Sequence, residues 1–210
     1  MTVLNIQKTV SYITKLCFVF AMLGAILTLV STSEALAKSN PKYASIVMDA
    51  DTGLILHQRY ADKRLHPASI TKVMTLIMVF DALKEGRLSL NDNVRFSKHA
   101  ANMVPSKIGL PAGSSIKVKH AILALVTKSA NDVAVALAEA VGGTVDGFVN
   151  RMNREARRLG MSSSRFSNPH GLHNPRQVTT AKDLAVLVTA IHREFPQFRN
   201  LFRTAVIRAP

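Results

Sequence analysis

The spacing of hydrophobic and polar residues divides the first half of the chain into two kinds of segment. Residues 43–50 favour a β-strand, Asp51-Thr52-Gly53 is typical of a turn, and residues 54–58 alternate between apolar and polar side chains. This pattern predicts a β-hairpin. Residues 70–83 are apolar nearly all round a helical wheel, and this predicts a helix that is buried on most sides and ends at residues 84–86.

The second half of the chain is predicted to be helical. After a loop-rich stretch at residues 88–115, helices are expected over 120–127 and 132–141, with a break at residues 128–131. An amphipathic helix begins at Thr144, and its apolar stripe consists of Val145, Phe148, Val149, Met152, Ala156 and Leu159.

After an irregular stretch over residues 162–178, Thr180 and Asp183 resemble a capping box at the start of a last helix. The apolar face expected for that helix comprises Leu184, Leu187, Val188 and Ile191. The predicted order is therefore one hairpin followed by about five helices. Because a two-stranded hairpin is marginally stable alone, it would need further strands, and none of convincing length appears before residue 210.

The N-terminus has the features of a secretory signal peptide. Lys8 and Lys15 precede an uncharged, mostly apolar run over residues 16–30, and Ala35-Leu36-Ala37 is a small-residue cleavage sequence. The alternative is a retained membrane anchor, but the run is shorter than the roughly 20 residues that a spanning helix needs. We expect residues 1–37 to be a signal peptide and residues 38–210 to be one exported domain, located in the periplasm or cell envelope.

The amino-acid composition limits which reactive groups and which binding partners we expect. The only cysteine, Cys17, would leave with the signal peptide, so no disulfide or thiol nucleophile is expected. The net charge of +14 favours anionic partners such as a membrane surface, to which the protein could bind peripherally, or a cell-wall polymer. Nucleic acid is not expected, because most basic residues are scattered, no tryptophan is present and no recognised nucleic-acid motif occurs.

Three Ser-x-x-Lys matches occur, and their surroundings distinguish them. Ser39/Lys42 lies beside the cleavage sequence, and Ser114/Lys117 lies in a polar loop, whereas Ser69/Lys72 begins the strongly apolar helix. A spacing of three puts Ser69 and Lys72 on one helical face, and burial lowers a lysine pKa, so that the amine can accept the serine proton. We expect Ile70, Val73 and Leu76 to provide the apolar surroundings. The alternative is an N-cap serine followed by a surface lysine.

Two Ser-x-Asn matches occur as well. Ser89-Leu90-Asn91 lies past the far end of the Ser69 helix, over roughly 20 Å away at 1.5 Å per residue. Ser129-Ala130-Asn131 lies in the break between two apolar helices, where a loop can face a cleft. Its alternative interpretation is a helix end followed by the cap of the next helix.

Taken together, these segments resemble one enzyme family. Residues 67–75 (PASITKVMT) are similar to the active-serine region of serine D-alanyl-D-alanine carboxypeptidases, and residues 129–132 (SAND) are similar to their second motif. The segments at residues 168–172 (NPHGL) and 180–184 (TAKDL) also resemble that family, in the expected order, and so does the opening hairpin sequence at residues 49–53 (DADTG). The resemblance extends from about residue 43 to the last residue.

The resemblance implies an α+β fold of the β-lactamase/transpeptidase type, with a helical cluster packed on an antiparallel sheet. It implies that Ser69 attacks the terminal D-Ala-D-Ala bond of a peptidoglycan stem peptide, Lys72 takes its proton, Ser129 relays a proton and Asn131 orients the peptide. β-Lactams would acylate the same serine. No cofactor is implied. A metal is not expected either, because His170 and His173 lie in a loop without a cysteine or an obvious carboxylate partner.

The third motif of that family, Lys-Thr-Gly, does not occur in the 210 residues, and Lys107-Ile108-Gly109 is only a lookalike in a loop. By the resemblance, the motif lies on a strand that would follow Pro210 and would supply an oxyanion donor. We therefore expect a chain truncated before its last sheet strands, and poorly stable or inactive alone. The alternatives are a protein that binds stem peptides without cutting them and a serine β-lactamase.

Overall fold

The computed structural model describes residues 43–204, and the predicted signal peptide lies outside them. The hairpin prediction is confirmed. Strands β1 (Ser45–Met48) and β2 (Ile55–Arg59) pair antiparallel, with an irregularity in register between Val47 and Met48. The Asp49 carboxylate accepts hydrogen bonds from the amide and the hydroxyl of Thr52, and these contacts close the turn.

Five helices of at least eleven residues account for most of the described chain, as the periodicity predicts. They are α1 (Thr71–Lys84), α3 (Val118–Lys128), α4 (Asn131–Gly142), α5 (Val145–Arg158) and α6 (Ala181–Glu194). A short 3₁₀ turn, Ala68–Ile70, precedes α1, and a longer 3₁₀ helix, Pro196–Arg203, follows α6. None of the helices in the described range 43–204 is long and apolar enough to cross a membrane.

The loop-rich stretch contains regular structure that the pattern did not predict. Strands β3 (Asn93–Arg95) and β4 (Ser115–Lys117) form a second antiparallel pair, and the four-residue helix α2 (Lys98–Ala101) lies between them. Strands of three residues are too short to produce a recognisable alternation, and for that reason the sequence pattern missed them.

The core lies between α1, α4, α5 and α6, with α4 packed against both α1 and α5. Most of α1 from Met74 to Phe80 is buried, as its apolar pattern predicts. The ring of Phe80 stacks on Phe198 at 4.2 Å between centroids and also meets Phe195, so the chain after α6 closes over the end of α1.

Threonine hydroxyls cap the starts of α5 and α6, and the sequence predicts the second of these caps. The hydroxyls of Thr144 and Thr180 accept hydrogen bonds from the amides of Gly147 and Asp183, respectively. The Asp183 carboxylate does not complete a capping box, because it accepts instead from the Ser163 amide and the Ser164 hydroxyl. The predicted apolar face of α6 is wrong at Val188, which is 56% exposed, whereas Leu187 and Ile191 are buried.

Candidate active site

Ser69 lies in the 3₁₀ turn that leads into α1, and its side chain is exposed to solvent. The segment before it is tied to the rest of the fold, since Leu65 exchanges two backbone hydrogen bonds with Thr179, each of 2.8 Å. Ala68 has a φ of +48°, a left-handed conformation that costs a non-glycine residue energy and often marks a functional site. This turn presents the Ser69 hydroxyl to solvent at the start of a buried helix.

Lys72 is 3% exposed, one turn further along. Its Nζ lies 3.5 Å from the Ser69 Oγ, the outer limit of a hydrogen bond, and donates to the His170 carbonyl at 2.6 Å. Burial lowers the pKa of Lys72 to about 8, so that a useful fraction of the amine is neutral at physiological pH. The predicted surroundings are only partly correct, because Ile70 is 49% exposed while Leu76 is buried.

The loop at residues 168–171 lies directly against the Ser69 turn. The Thr75 hydroxyl donates to the Pro169 carbonyl at 2.6 Å, and the Asn168 Oδ1 accepts from the Gly171 amide at 2.7 Å. Gly171 has a φ of +89°, and a Cβ placed on it would lie 1.9 Å from the Ala68 carbonyl oxygen. Only glycine fits this close approach, which holds the loop against the backbone next to Ser69.

The imidazole of His170 is neutral at physiological pH. Burial, followed by the nearby charges of Lys72 and His99, lowers its pKa to about 4. Its Nδ1 accepts a hydrogen bond from the Leu172 amide at 3.1 Å, so the ring proton is on Nε2. Residue type does not reveal a main-chain acceptor, so the contact between the His170 carbonyl and Lys72 could not be predicted from the sequence.

Ser129 and Asn131 occupy the predicted break between two helices. Ser129 is the C-cap of α3 with a φ of +54°, and Asn131 begins α4. Asn131 is 4% exposed, and its side-chain nitrogen donates to the Val104 carbonyl at 3.0 Å. Within residues 43–204, no hydrogen bond joins Ser129 to Ser69 or Lys72, although α4 packs on α1.

Asp132 is a residue of this region that sequence reasoning missed. Its buried carboxylate accepts hydrogen bonds from the amides of Ile108 and Gly109 at 2.9 to 3.2 Å. In addition, the Asn131 amide donates to the Ser106 carbonyl at 2.7 Å. These contacts fix the Lys107-Ile108-Gly109 loop beside the start of α4. An acidic residue directly after a Ser-x-Asn sequence was the available signal.

No group of three or more histidine, cysteine, aspartate or glutamate side chains that could hold a metal occurs among residues 43–204. His170 and His173, the pair considered from the sequence, make different contacts. The His170 ring accepts from Leu172, whereas the His173 ring meets the ring of His66.

Comparison with known proteins identifies the family of this site. A family model described as D-alanyl-D-alanine carboxypeptidase matches residues 31–207. The chain is 35% identical to D-alanyl-D-alanine carboxypeptidase DacF of Bacillus subtilis over 175 residues, which cover 79% of this chain and 45% of that protein. The chain thus spans less than half of the length of this relative.

Solved structures agree with that assignment. D-alanyl-D-alanine carboxypeptidase DacD from Francisella tularensis superposes with a TM-score of 0.74 at 36% identity, over 76% of this chain and 38% of that one. Penicillin-binding protein D2 from Listeria monocytogenes in its cefotaxime-bound form superposes with a TM-score of 0.71 at 27% identity, over 80% of this chain and 69% of that one. The predicted fold class is confirmed, and the chain belongs to the D-alanyl-D-alanine carboxypeptidase family.

Proposed function

We propose that this chain carries the acylating machinery of a serine D-Ala-D-Ala carboxypeptidase that trims peptidoglycan stem pentapeptides. The observation that carries the proposal is the pairing of an exposed Ser69 hydroxyl with a buried Lys72 amine 3.5 Å away. A serine hydroxyl needs a base to become a nucleophile, and a lysine with a pKa of about 8 can be that base.

In the proposed reaction, the neutral Lys72 amine takes the Ser69 proton as Oγ attacks the carbonyl carbon of the terminal D-Ala-D-Ala peptide bond. Ser129 passes a proton to the nitrogen of the leaving D-alanine, and Asn131 orients the peptide. Water then hydrolyses the acyl-enzyme and releases the shortened stem peptide. β-Lactams would acylate Ser69, and the complex of the Listeria relative with cefotaxime supports this part of the proposal.

We further propose that residues 1–37 direct export, that the mature domain acts in the periplasm or cell envelope, and that it contributes to cell-wall biogenesis and cell shape. The signal-like sequence and the bacterial carboxypeptidase relatives support this location. The net charge of +14 favours peripheral contact with anionic surfaces there.

Covalent labelling tests the proposed nucleophile. The chain is incubated with a fluorescent penicillin, and the labelled peptide is identified by mass spectrometry. We expect an adduct on Ser69. Because the 210 residues contain no Lys-Thr-Gly sequence, and loss of one oxyanion donor slows a reaction about 10²–10³-fold, the adduct should form more slowly by about that factor than in a relative that has this sequence.

Ser69→Ala is the matched variant, and Ser114→Ala, in the other described Ser-x-x-Lys sequence, is the control that should label normally. A folded wild-type chain that takes no label, or a label that persists in Ser69→Ala, would overturn the proposal. Release of free D-alanine from a pentapeptide then separates a carboxypeptidase from a protein that only binds stem peptides. Rapid penicillin turnover would instead indicate a β-lactamase.

A further inference from the structure

Two histidine rings from distant parts of the chain meet beside the Ser69 turn. The ring centroids of His66 and His173 are 5.2 Å apart, with their planes inclined by 71°. Both side chains are exposed, and both line a cavity of about 160 Å³ that also contacts Ala68 and Gly171. The pair therefore faces a space that solvent and small ions can enter.

The orientation of His66 leaves one ring nitrogen free for a ligand. Its Nδ1 lies 2.7 Å from the Gln177 carbonyl oxygen, which can only accept, so Nδ1 carries the proton and Nε2 carries a lone pair. A backbone carbonyl that fixes one nitrogen in this way is the usual support of a metal-binding histidine. The His173 ring makes no hydrogen bond to any residue in the range 43–204.

The spacing of the rings fits a shared ion. With metal–nitrogen distances of 2.0–2.1 Å, two imidazoles on a tetrahedral ion have centroids roughly 5 Å apart. The observed 5.2 Å agrees with this value. We propose that His66 and His173 form a two-histidine site for a late first-row divalent ion such as Zn²⁺ or Cu²⁺, with water in the remaining positions.

The lining of the cavity defines the selectivity of this site. Among the residues of the range 43–204 that line the cavity, only Asn174 and Gln177 have side chains with oxygen atoms, and none has a carboxylate. The Asn174 Oδ1 already accepts from the Arg176 amide at 2.9 Å. Imidazole nitrogen suits Zn²⁺ and Cu²⁺, whereas Mg²⁺ and Ca²⁺ need oxygen ligands, so the site should discriminate strongly against the latter pair.

A bound ion would join the two segments that surround the nucleophile. His66 comes directly before Pro67-Ala68-Ser69, and His173 follows Gly171, whose backbone already packs on Ala68. The positions of the two rings and the His66 contact with Gln177 support the metal site whether or not Ser69 is catalytic.

Calorimetry tests the site directly. ZnCl₂ is titrated into the complete chain, purified without a histidine tag, and one Zn²⁺ per chain is expected, with no heat from MgCl₂. His66→Gln and His173→Asn should each weaken binding by at least about tenfold, whereas His57→Gln, at an exposed position on β2, should leave it unchanged. His173→Asn removes no hydrogen bond, so its result does not depend on the His66 contact with Gln177.

Electron paramagnetic resonance of the Cu²⁺-loaded chain provides an independent readout. Nitrogen couplings from two imidazoles are expected in the wild type, and from one in each variant. The proposal is wrong if both histidine variants bind Zn²⁺ as tightly as the wild type, if wild-type binding is weaker than millimolar, or if the Cu²⁺ spectrum shows a single imidazole.

Discussion

The Nζ of Lys72 lies 2.6 Å from the carbonyl oxygen of His170, a residue almost one hundred positions away in the sequence. This contact holds the amine at a fixed place without giving it a negative partner. An acidic partner would raise the pKa of Lys72, whereas a neutral carbonyl leaves burial as the dominant influence and the pKa at about 8. The contact thus positions the proposed base without preventing its deprotonation.

The first prediction concerns the pH dependence of acylation by a fluorescent penicillin. Only the neutral amine of Lys72 can accept the Ser69 proton, and its fraction rises almost tenfold for each pH unit below a pKa of about 8. The initial rate should therefore increase steeply from pH 6 and level off above pH 8.

Lys72→Arg is the matched variant, because a guanidinium keeps the charge but does not deprotonate in this range. The acylation rate of this variant should be about 10²–10⁴-fold lower than that of the wild type and should not increase with pH. A wild-type rate that stays constant between pH 6 and pH 9 would show that Lys72 is not the base.

The second prediction concerns the half-buried carboxyl of Asp81 in α1. Burial, together with the nearby Glu155, Glu85 and Glu194, raises the pKa of Asp81 from 3.8 to about 6, against the opposing effect of Arg158. The folded state therefore loses stability as the pH rises from about 4 through 6, since it disfavours the charged form.

Asp81→Asn should consequently raise the free energy of unfolding at pH 7.5 by about 1–2 kcal/mol, because solvent screening of the half-buried carboxyl reduces the value expected from 1.36 kcal/mol per pKa unit. Urea denaturation at several pH values measures this difference, which should vanish near pH 4. An effect of equal size at both pH values would indicate a packing change rather than a relieved charge.

The third prediction compares two glycines with the same backbone conformation. Gly171 and Gly113 both have a φ of +89°, but a Cβ on Gly171 would lie 1.9 Å from the Ala68 carbonyl oxygen, whereas one on Gly113 would meet nothing within 4 Å. Gly113→Ala should cost about 1–2 kcal/mol through backbone strain alone.

Gly171→Ala should cost about 1–3 kcal/mol more than Gly113→Ala in urea denaturation, because the loop must move away from Ala68. The same variant should slow acylation of Ser69, since the displaced contact supports that turn. Equal destabilisation by the two substitutions would contradict the close approach.

The fourth prediction concerns the anchor of the 106–109 loop. Asp132→Asn places an amide NH₂ near the amides of Ile108 and Gly109, so at least one of these donors loses its acceptor, at a cost of about 1–3 kcal/mol. Hydrogen exchange at those two amides should accelerate by more than the global loss of stability explains.

Asp146→Asn, at an exposed position in the first turn of α5, should change stability by less than about 1 kcal/mol and leave the loop protected.

The fifth prediction separates the backbone of Ser129 from its hydroxyl. Because Ser129 has a φ of +54°, Ser129→Gly should match or exceed the wild type in stability, by up to about 1–2 kcal/mol. Both Ser129→Gly and Ser129→Ala should lower the rate of D-alanine release, since both remove the proposed proton relay. A glycine variant that retains full activity would limit Ser129 to its role as a helix cap.

Much of the helical layout follows from the sequence because its helices are long and strongly patterned. The apolar run from residue 70 and the stripe through Phe148 and Met152 both correspond to buried faces. The sequence-based predictions were wrong or incomplete where tertiary packing determines which residues are buried and which segments pair. Val188 has the spacing of a core residue but lies on an exposed part of α6, and β3 and β4 are too short for periodicity to detect.

The candidate site also combines contacts that the sequence predicts with contacts that it does not. The spacing of Ser69 and Lys72 on one helix brings them within reach, so local sequence is enough to predict that contact. The His170 carbonyl and the Asp132 carboxylate act across long stretches of chain on backbone groups. Such partners depend on how separate segments pack, and residue type alone does not reveal them.

The open hairpin has a consequence for the behaviour of the chain in solution. Every residue of β2 is exposed, as are the apolar side chains of Val47 and Leu54, and no third strand pairs with β1 or β2 within residues 43–204. Its unpaired amides and carbonyls can hydrogen-bond to any extended peptide, including the same edge of another molecule. At high concentration, we therefore expect chains to associate through this hairpin and to form aggregates.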